Sequence, residues 1–208
     1  MKQMQRNKSI SGALLIATIL LFMLAACAKP YHFYVKYDLP EQSPDLRGQK
    51  VVLKVLDGRE STDFLTQKAA AEFGLWDGKF AMYHTPKKPK GDTDTYSLSG
   101  LIEAAMKKRL ESLGINVVSG EMEGAPLFEL TLNKFLLDLK NRTWVSDFSY
   151  EVKLTKDNRK TGREKVSGQA ERTKVMGRGA GELLVGDILT ESINRLNIDK
   201  LFKNAGMD

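Results

Sequence analysis

Apolar residues are placed in several distinct patterns along the chain. Over residues 143–156 they alternate. Trp144, Phe148, Tyr150, Val152 and Leu154 share one parity, and Asp147, Ser149, Glu151 and Lys153 take the other. This predicts a strand with one buried and one wet face. Residues 127–139 alternate too, but with a slip: Phe128, Leu130 and Leu132 lie on one parity, Phe135, Leu137 and Leu139 on the other. A slip of one residue predicts a β-bulge near Asn133 and Lys134. A third strand with a weaker apolar face is expected over about 163–176, after a turn at Asp157-Asn158. Gly168 within it leaves room for a bulge or a facing aromatic. Upstream, residues 51–56 form an apolar β-rich run closed by Asp57-Gly58-Arg59, and residues 115–118 form a shorter one. Asp77-Gly78 suits a type I′ turn and predicts a hairpin between residues 73–76 and 79–83.

Two stretches follow the helical period instead. Leu98, Leu101, Ile102, Ala105, Leu110 and Leu113 recur at helical spacing, with Ser97 or Ser99 as cap and Gly114 as the residue that ends the helix. Leu184, Ile188, Leu189, Ile193 and Leu196 form a second stripe, opened by the glycine-rich break at 177–181 and interrupted at 197–199. The expected fold class is α+β: a mostly antiparallel sheet, built from the long three-stranded meander plus N-terminal strands, with two helices packed on one face.

The chain begins differently. Lys2, Arg6 and Lys8 form a basic head, and an apolar run of fourteen residues follows from Ala13 to Ala26, broken only by Thr18. As a helix it would reach about 21 Å, short of the roughly 30 Å hydrocarbon core of a bilayer. Basic head, short apolar core and small terminal residues read as a secretory signal. Leu24-Ala25-Ala26-Cys27 is similar to a bacterial lipobox. That resemblance implies a diacylglyceryl thioether on Cys27, cleavage before it and acylation of the new N-terminus. Two or three acyl chains anchor a protein where one holds it only marginally. Ala28, rather than Asp, follows the cysteine; by resemblance to Gram-negative sorting this implies the periplasmic face of the outer membrane, and in a Gram-positive cell the outer face of the plasma membrane. The expected organisation is therefore a signal peptide at 1–26, a lipidated tether at 27–50 and a single periplasmic domain at 51–208. Within the tether, the aromatic run 31–37 suits either the lipid interface or an edge strand. Pro30 and Pro40 bracket it as strand boundaries would, which favours the strand.

Composition narrows the class. At 208 residues and 42% hydrophobic, the chain has enough apolar material for a folded domain. Its one cysteine excludes an internal disulfide framework or a thiolate cluster. The net charge of +6 would raise nucleic acid as a partner. Lys2, Arg6 and Lys8 carry half of it and leave with the signal, so no nucleic-acid partner is expected.

The order of lipobox, strand closed by Asp-x-Arg, glycine-containing hairpin, helix ending Leu-x-x-x-Gly, meander and final helix resembles the YajG-like family of Gram-negative lipoproteins. The matching residues are those of 51–55 with Asp57 and Arg59, then Leu101, Ala105, Leu110, Leu113, Gly114, Ile115 and Val117. The resemblance implies a membrane-anchored periplasmic domain without established enzymatic activity. The region 62–93 is longer and more basic than the family pattern, and its role is not indicated. The layout is more distantly similar to accessory lipoproteins of envelope lipid and lipopolysaccharide transport.

Candidate chemistry is sparse. His32 and His84 have no second His or Cys at ligand spacing, so no metal site and no cofactor beyond the lipid on Cys27 are expected. No Gly-x-Ser-x-Gly or His-Glu-x-x-His motif occurs, and no catalytic residue is nominated. Gly177-Arg178-Gly179-Ala180-Gly181 lacks the third glycine of a dinucleotide fingerprint and reads as a strand-to-helix turn. Asp57-Gly58-Arg59 reads as a strand end whose acid satisfies local N–H groups, with a paired charge at a site as the alternative. Lys153, Lys156, Arg159, Lys160, Arg163 and Lys165 cluster about one hairpin tip, and Lys87, Lys88 and Lys90 occupy a second loop. Both are candidate contacts to anionic headgroups or phosphates. The expected function is a non-catalytic interaction or scaffold domain of the cell envelope, with an envelope protein or lipid as partner. An accessory role in lipid or lipopolysaccharide transport, and more remotely an envelope hydrolase, are the alternatives.

Overall fold

The computed structural model describes residues 31–41, 46–74, 76–89, 93–118, 120, 124–156 and 160–207. The signal segment, Cys27, Lys90 and Arg159 lie outside them, and of Lys160 only the backbone is described. In chain order the elements are β1 (Tyr31–Lys36), β2 (Lys50–Asp57), α1 (Gln67–Phe73), β3 (Trp76–Tyr83), β4 (Thr95–Tyr96), α2 (Leu98–Ser112), β5 (Asn116–Val118), β6 (Leu127–Lys140), β7 (Thr143–Lys156), β8 (Lys160–Thr173), α3 (Gly179–Arg195) and α4 (Ile198–Asn204).

The meander forms as its alternation predicts, except that its third strand is Lys160–Thr173 rather than 163–176, the chain leaving the ladder at Lys174. β6, β7 and β8 pair antiparallel, and the register of β6 shifts between Leu132 and Lys134, at the expected bulge. Phe128, Leu130 and Leu132 before the slip, and Phe135, Leu137 and Leu139 after it, are all buried. The sheet as a whole is mixed rather than mostly antiparallel. β2 runs parallel to both β5 and β6, giving the order β5-β2-β6-β7-β8. Alternation fixes which side chains face inward but carries no strand direction, so the parallel pairs left no trace in the pattern.

A second sheet, β1-β3-β4, was not expected. The aromatic run 31–37 does form a strand, and Phe33, Val35 and Tyr37 are buried. Residues 32–208 make one compact unit, so the segment assigned to the tether packs with the rest from His32 onward. His32 stands beside Asp77, and Tyr37 N–H donates to the Tyr83 carbonyl, so β1 and β3 run the same way.

The predicted hairpin at Asp77-Gly78 is absent. The first arm is instead the end of α1, capped by Thr66, whose hydroxyl accepts from Ala69 N–H, and closed by Gly74 at φ 60°. β3 runs straight through Asp77-Gly78. Gly78 sits at φ 78° while the Asp77 carboxylate accepts from Lys79 N–H at 3.0 Å, which bends the strand without reversing it.

The inner face of the large sheet is covered by α2, which packs on β2 and β5, and by α3, which packs on β7 and β8. Ser97 is the cap of α2, accepting from Gly100 N–H, and Gly114 follows at φ 82° as the sequence pattern requires. Tyr150 donates its hydroxyl to the Ser192 carbonyl at 2.9 Å, tying β7 to α3, and burial pushes that phenol well above its usual range. The interruption at 197–199 is a new helix start: Asn197 accepts from Lys200 N–H and opens α4.

Close approach explains two glycines. Gly168 lies opposite Phe148 and under Ser192, where α3 crosses β8. At Gly162 a Cβ would stand 2.2 Å from the Leu201 carbonyl oxygen of α4. Gly162→Ala must therefore push α4 off the sheet, and is expected to cost about 1–3 kcal/mol in urea unfolding, the usual range for overpacking. Gly179, with nothing near its missing Cβ and no positive φ, is the control; Gly179→Ala should stay within about 0.5 kcal/mol of the parent.

Candidate functional site

The site forms where β2 leaves the sheet. β2 pairs with β6 as far as Asp57 opposite Leu132. The chain rejoins β6 further on, where Leu137 N–H donates to the Phe64 carbonyl and Thr66 N–H to the Leu137 carbonyl. Between these points the β6 bulge and the loop 58–63 leave a gap. The connection from β2 to its parallel neighbour β5 also brings the start of α2 to the end of β2. Clefts at the carboxyl ends of parallel strands are a common outcome of such crossovers.

Two clefts open here and share Arg59 and Asp63. One, of about 490 Å³, is lined by Asp57, Arg59, Phe64, Trp76, Phe80, Ser97 and Ser99. The other, of about 500 Å³, is lined by Arg59, Ser61, Asp63, Asn133, Lys134 and Ser149. The side chain of Arg59 is only 6% exposed. Its guanidinium grips Asp57 in a fork, Nε to Oδ1 at 2.9 Å and Nη2 to Oδ2 at 2.8 Å, and Nη1 donates to the Asp63 carbonyl at 3.4 Å. Asp57 Oδ1 also accepts from Arg59 N–H at 3.3 Å. Both readings of Asp57-Gly58-Arg59 are thus realised at once: the acid closes a local turn and pairs with a charge facing two clefts. Gly58 allows it, because a Cβ there would stand 2.8 Å from the Thr131 side chain. The Arg59 guanidinium lowers the Asp57 carboxyl below the usual carboxylate range, with its backbone N–H contributing and partial burial opposing.

Two further hydroxyls of the first cleft are committed. Ser97 and Ser99 hydroxyls lie 3.1 Å apart, and Ser97 caps α2. The aromatic wall of Phe64, Trp76 and Phe80 is a set of edge and tilted contacts 5.0–5.7 Å apart. These residues are scattered in sequence, and only Asp57 and Arg59 carried a local signal.

The basic residues divide into two places. In the β7–β8 ladder Lys153 stands opposite Arg163, Glu151 opposite Lys165 and Lys156 opposite Lys160. Arg163 pairs with Glu151 at 3.0 Å. Lys88, by contrast, covers the Tyr34 ring at 3.7 Å and reaches Glu182 on the first turn of α3, with exposed Lys87 beside it. Lys153 and Arg163 lie toward the opposite end of the meander from the Lys87-Lys88 loop, because α3 starts just after β8 ends. His32 faces Asp77 at 2.6 Å, and His84 Nδ1 lies 2.8 Å from the Tyr37 carbonyl. Among the described residues no group of three or more His, Cys, Asp or Glu converges, and no helix is long and apolar enough to cross a membrane.

No family model matches the chain, and no curated protein matches it in sequence. It is similar to several solved structures. One is a Xanthomonas campestris protein of the DUF330 family, with TM-score 0.47 and 13% identity over 86% of this chain and 96% of that one. Another is rare lipoprotein B from Shewanella oneidensis, with TM-score 0.40 and 10% identity over 76% and 98%. A third is lipoprotein GNA1162 from Neisseria meningitidis, with TM-score 0.27 and 12% identity over 69% and 96%.

A carboxyl lowered in the folded state adds stability that is fully present above its unfolded value of about 3.9 and is lost as pH falls through the folded value. Acid unfolding monitored from pH 6 to 2 should therefore show a drop in stability that Asp57→Asn lacks. In Arg59→Met the Asp57 carboxyl, followed by carbon-13 NMR, should return to the ordinary range. An unmoved titration would deny the pair its coupling.

Proposed function

We propose that the chain is a lipoprotein of the Gram-negative envelope, of the YajG-like kind, acylated on Cys27 and held on the periplasmic face of the outer membrane. Its domain binds a partner without converting it. The anchor rests on Leu24-Ala25-Ala26-Cys27 and the leader before it. The observation that carries the binding role is the Arg59 cleft, of about 490 Å³, a size usual for ligand sites. It sets an aromatic wall beside the closed Arg59–Asp57 pair, which suits a partner segment that brings an apolar group with a polar rim. Asp57 is held by Arg59, and the hydroxyls of Ser97 and Ser99 are held by each other and by the helix cap, which supports recognition over a chemical step.

Palmitate labelling and fractionation test the anchor. Cys27→Ser should abolish the label and remove the chain from the outer-membrane fraction. Affinity purification of the intact lipoprotein from solubilised envelopes tests the binding role. A reproducible partner should be recovered and should be lost with Trp76→Ala; recovery of nothing above background would sink the reading.

The aromatic wall also favours a second reading, an accessory role in lipid or lipopolysaccharide transport. Native mass spectrometry of the gently released protein should then show a bound lipid that Phe80→Ala removes, and a ligand-free mass would exclude it.

A further inference from the structure

We propose that the loop 174–178, together with Leu183, rests on the lipid headgroups of the membrane that holds the anchor. The inference goes beyond the anchor itself but rests on acylation of Cys27. β1 and α3 run side by side in step. Tyr34 N–H donates to Glu182 Oε1 at 2.9 Å, a Cβ on Gly186 would stand 2.8 Å from the Lys36 carbonyl oxygen, and Asp38 N–H donates to Thr190 Oγ1 at 3.2 Å. Two residues of strand thus match four residues of helix, about 6.7 Å against about 6 Å. Carried back one step, this register sets His32 level with Arg178. From Cys27 to His32 is five residues, at most about 17 Å of extended chain. The end of the domain that presents residues 174–178 is therefore confined near the anchor.

That end is apolar and basic. Val175 is 76% exposed, Met176 87% and Leu183 48%, and they make up most of the large exposed apolar side chains among the described residues. Lys174 N–H donates to the Arg142 carbonyl, which places exposed Lys140 and Arg142 beside the loop. Three of the acids nearby are engaged: Glu72 with Lys174, Asp77 with His32, Glu182 with Tyr34 N–H and Lys88; exposed Glu171 lies three residues before the loop. Apolar tips rimmed by cations suit the boundary of an anionic bilayer surface. Arg163 and Lys165 of β8, with Lys153 of β7 opposite Arg163, lie toward the other end, about 30–37 Å along the strand.

The test uses the full acylated chain in vesicles of phosphatidylethanolamine and phosphatidylglycerol. The natural cysteine is consumed in its thioether, so Met176→Cys, Val175→Cys and Lys165→Cys each offer one thiol for an environment-sensitive dye. Dye at 176 and 175 should shift to the blue, resist iodide and be quenched by spin-labelled lipid, while dye at 165 stays aqueous. Aqueous behaviour at all three positions, in protein that floats with the vesicles, would overturn the contact and leave the anchor standing. Protein that carries no acyl groups by mass spectrometry and does not float would overturn the anchor reading, and the contact with it.

Discussion

Phe64 holds the two sheets together, and much else follows from it. It meets Phe135 of the large sheet at 5.2 Å, and Phe33 and Phe80 of the small sheet at 5.4 and 5.0 Å, all near edge-on. The small sheet needs this. β4 has two residues and β1 six, too little to be stable alone. Phe73 makes a parallel link, 4.2 Å from Phe33 and 5.4 Å from Trp144. Both rings come from the connection between β2 and β3, so a segment that is mostly loop and one short helix supplies the core that joins the layers. The same ring, Phe64, is a wall of the Arg59 cleft. Packing and site are therefore coupled through one ring.

Long, strongly periodic elements were legible in the sequence. The meander, its bulge and the Ser97–Gly114 limits of α2 each followed from side-chain period or cap chemistry. Elements that depend on partners distant in sequence were not. The seven residues of α1 are too few to show a period, and the same Asp-Gly chemistry that makes a hairpin turn here makes a bend within β3. The parallel pairing of β2 and the existence of the second sheet are tertiary facts with no local signature. At the site, Asp57 and Arg59 stood out as neighbours in sequence, but the wall of Phe64, Trp76, Phe80 and Ser97 did not. Sequence also treated the basic loops as equivalent candidates, and folding separates them by the length of β8.

This separation gives the domain a polarity. One end gathers the entry of the chain, the start of α3 and the exposed Val175 and Met176. The opposite end carries Lys153, Lys156 and Arg163 of the β7–β8 ladder. The Arg59 clefts open at the end of β2, where the sheet changes from parallel to antiparallel pairing.

The side-by-side course of β1 and α3 also has a mechanical meaning. A pull entering through residue 31 runs along β1. It loads the bonds of Tyr34 to Glu182, Asp38 to Thr190 and Asn194 to Asp38 together, in shear, rather than peeling them one at a time. The chain thus joins its domain through an attachment that shares tension among several bonds, and a drag on the domain reaches the long helix α3 before it can unravel the strand.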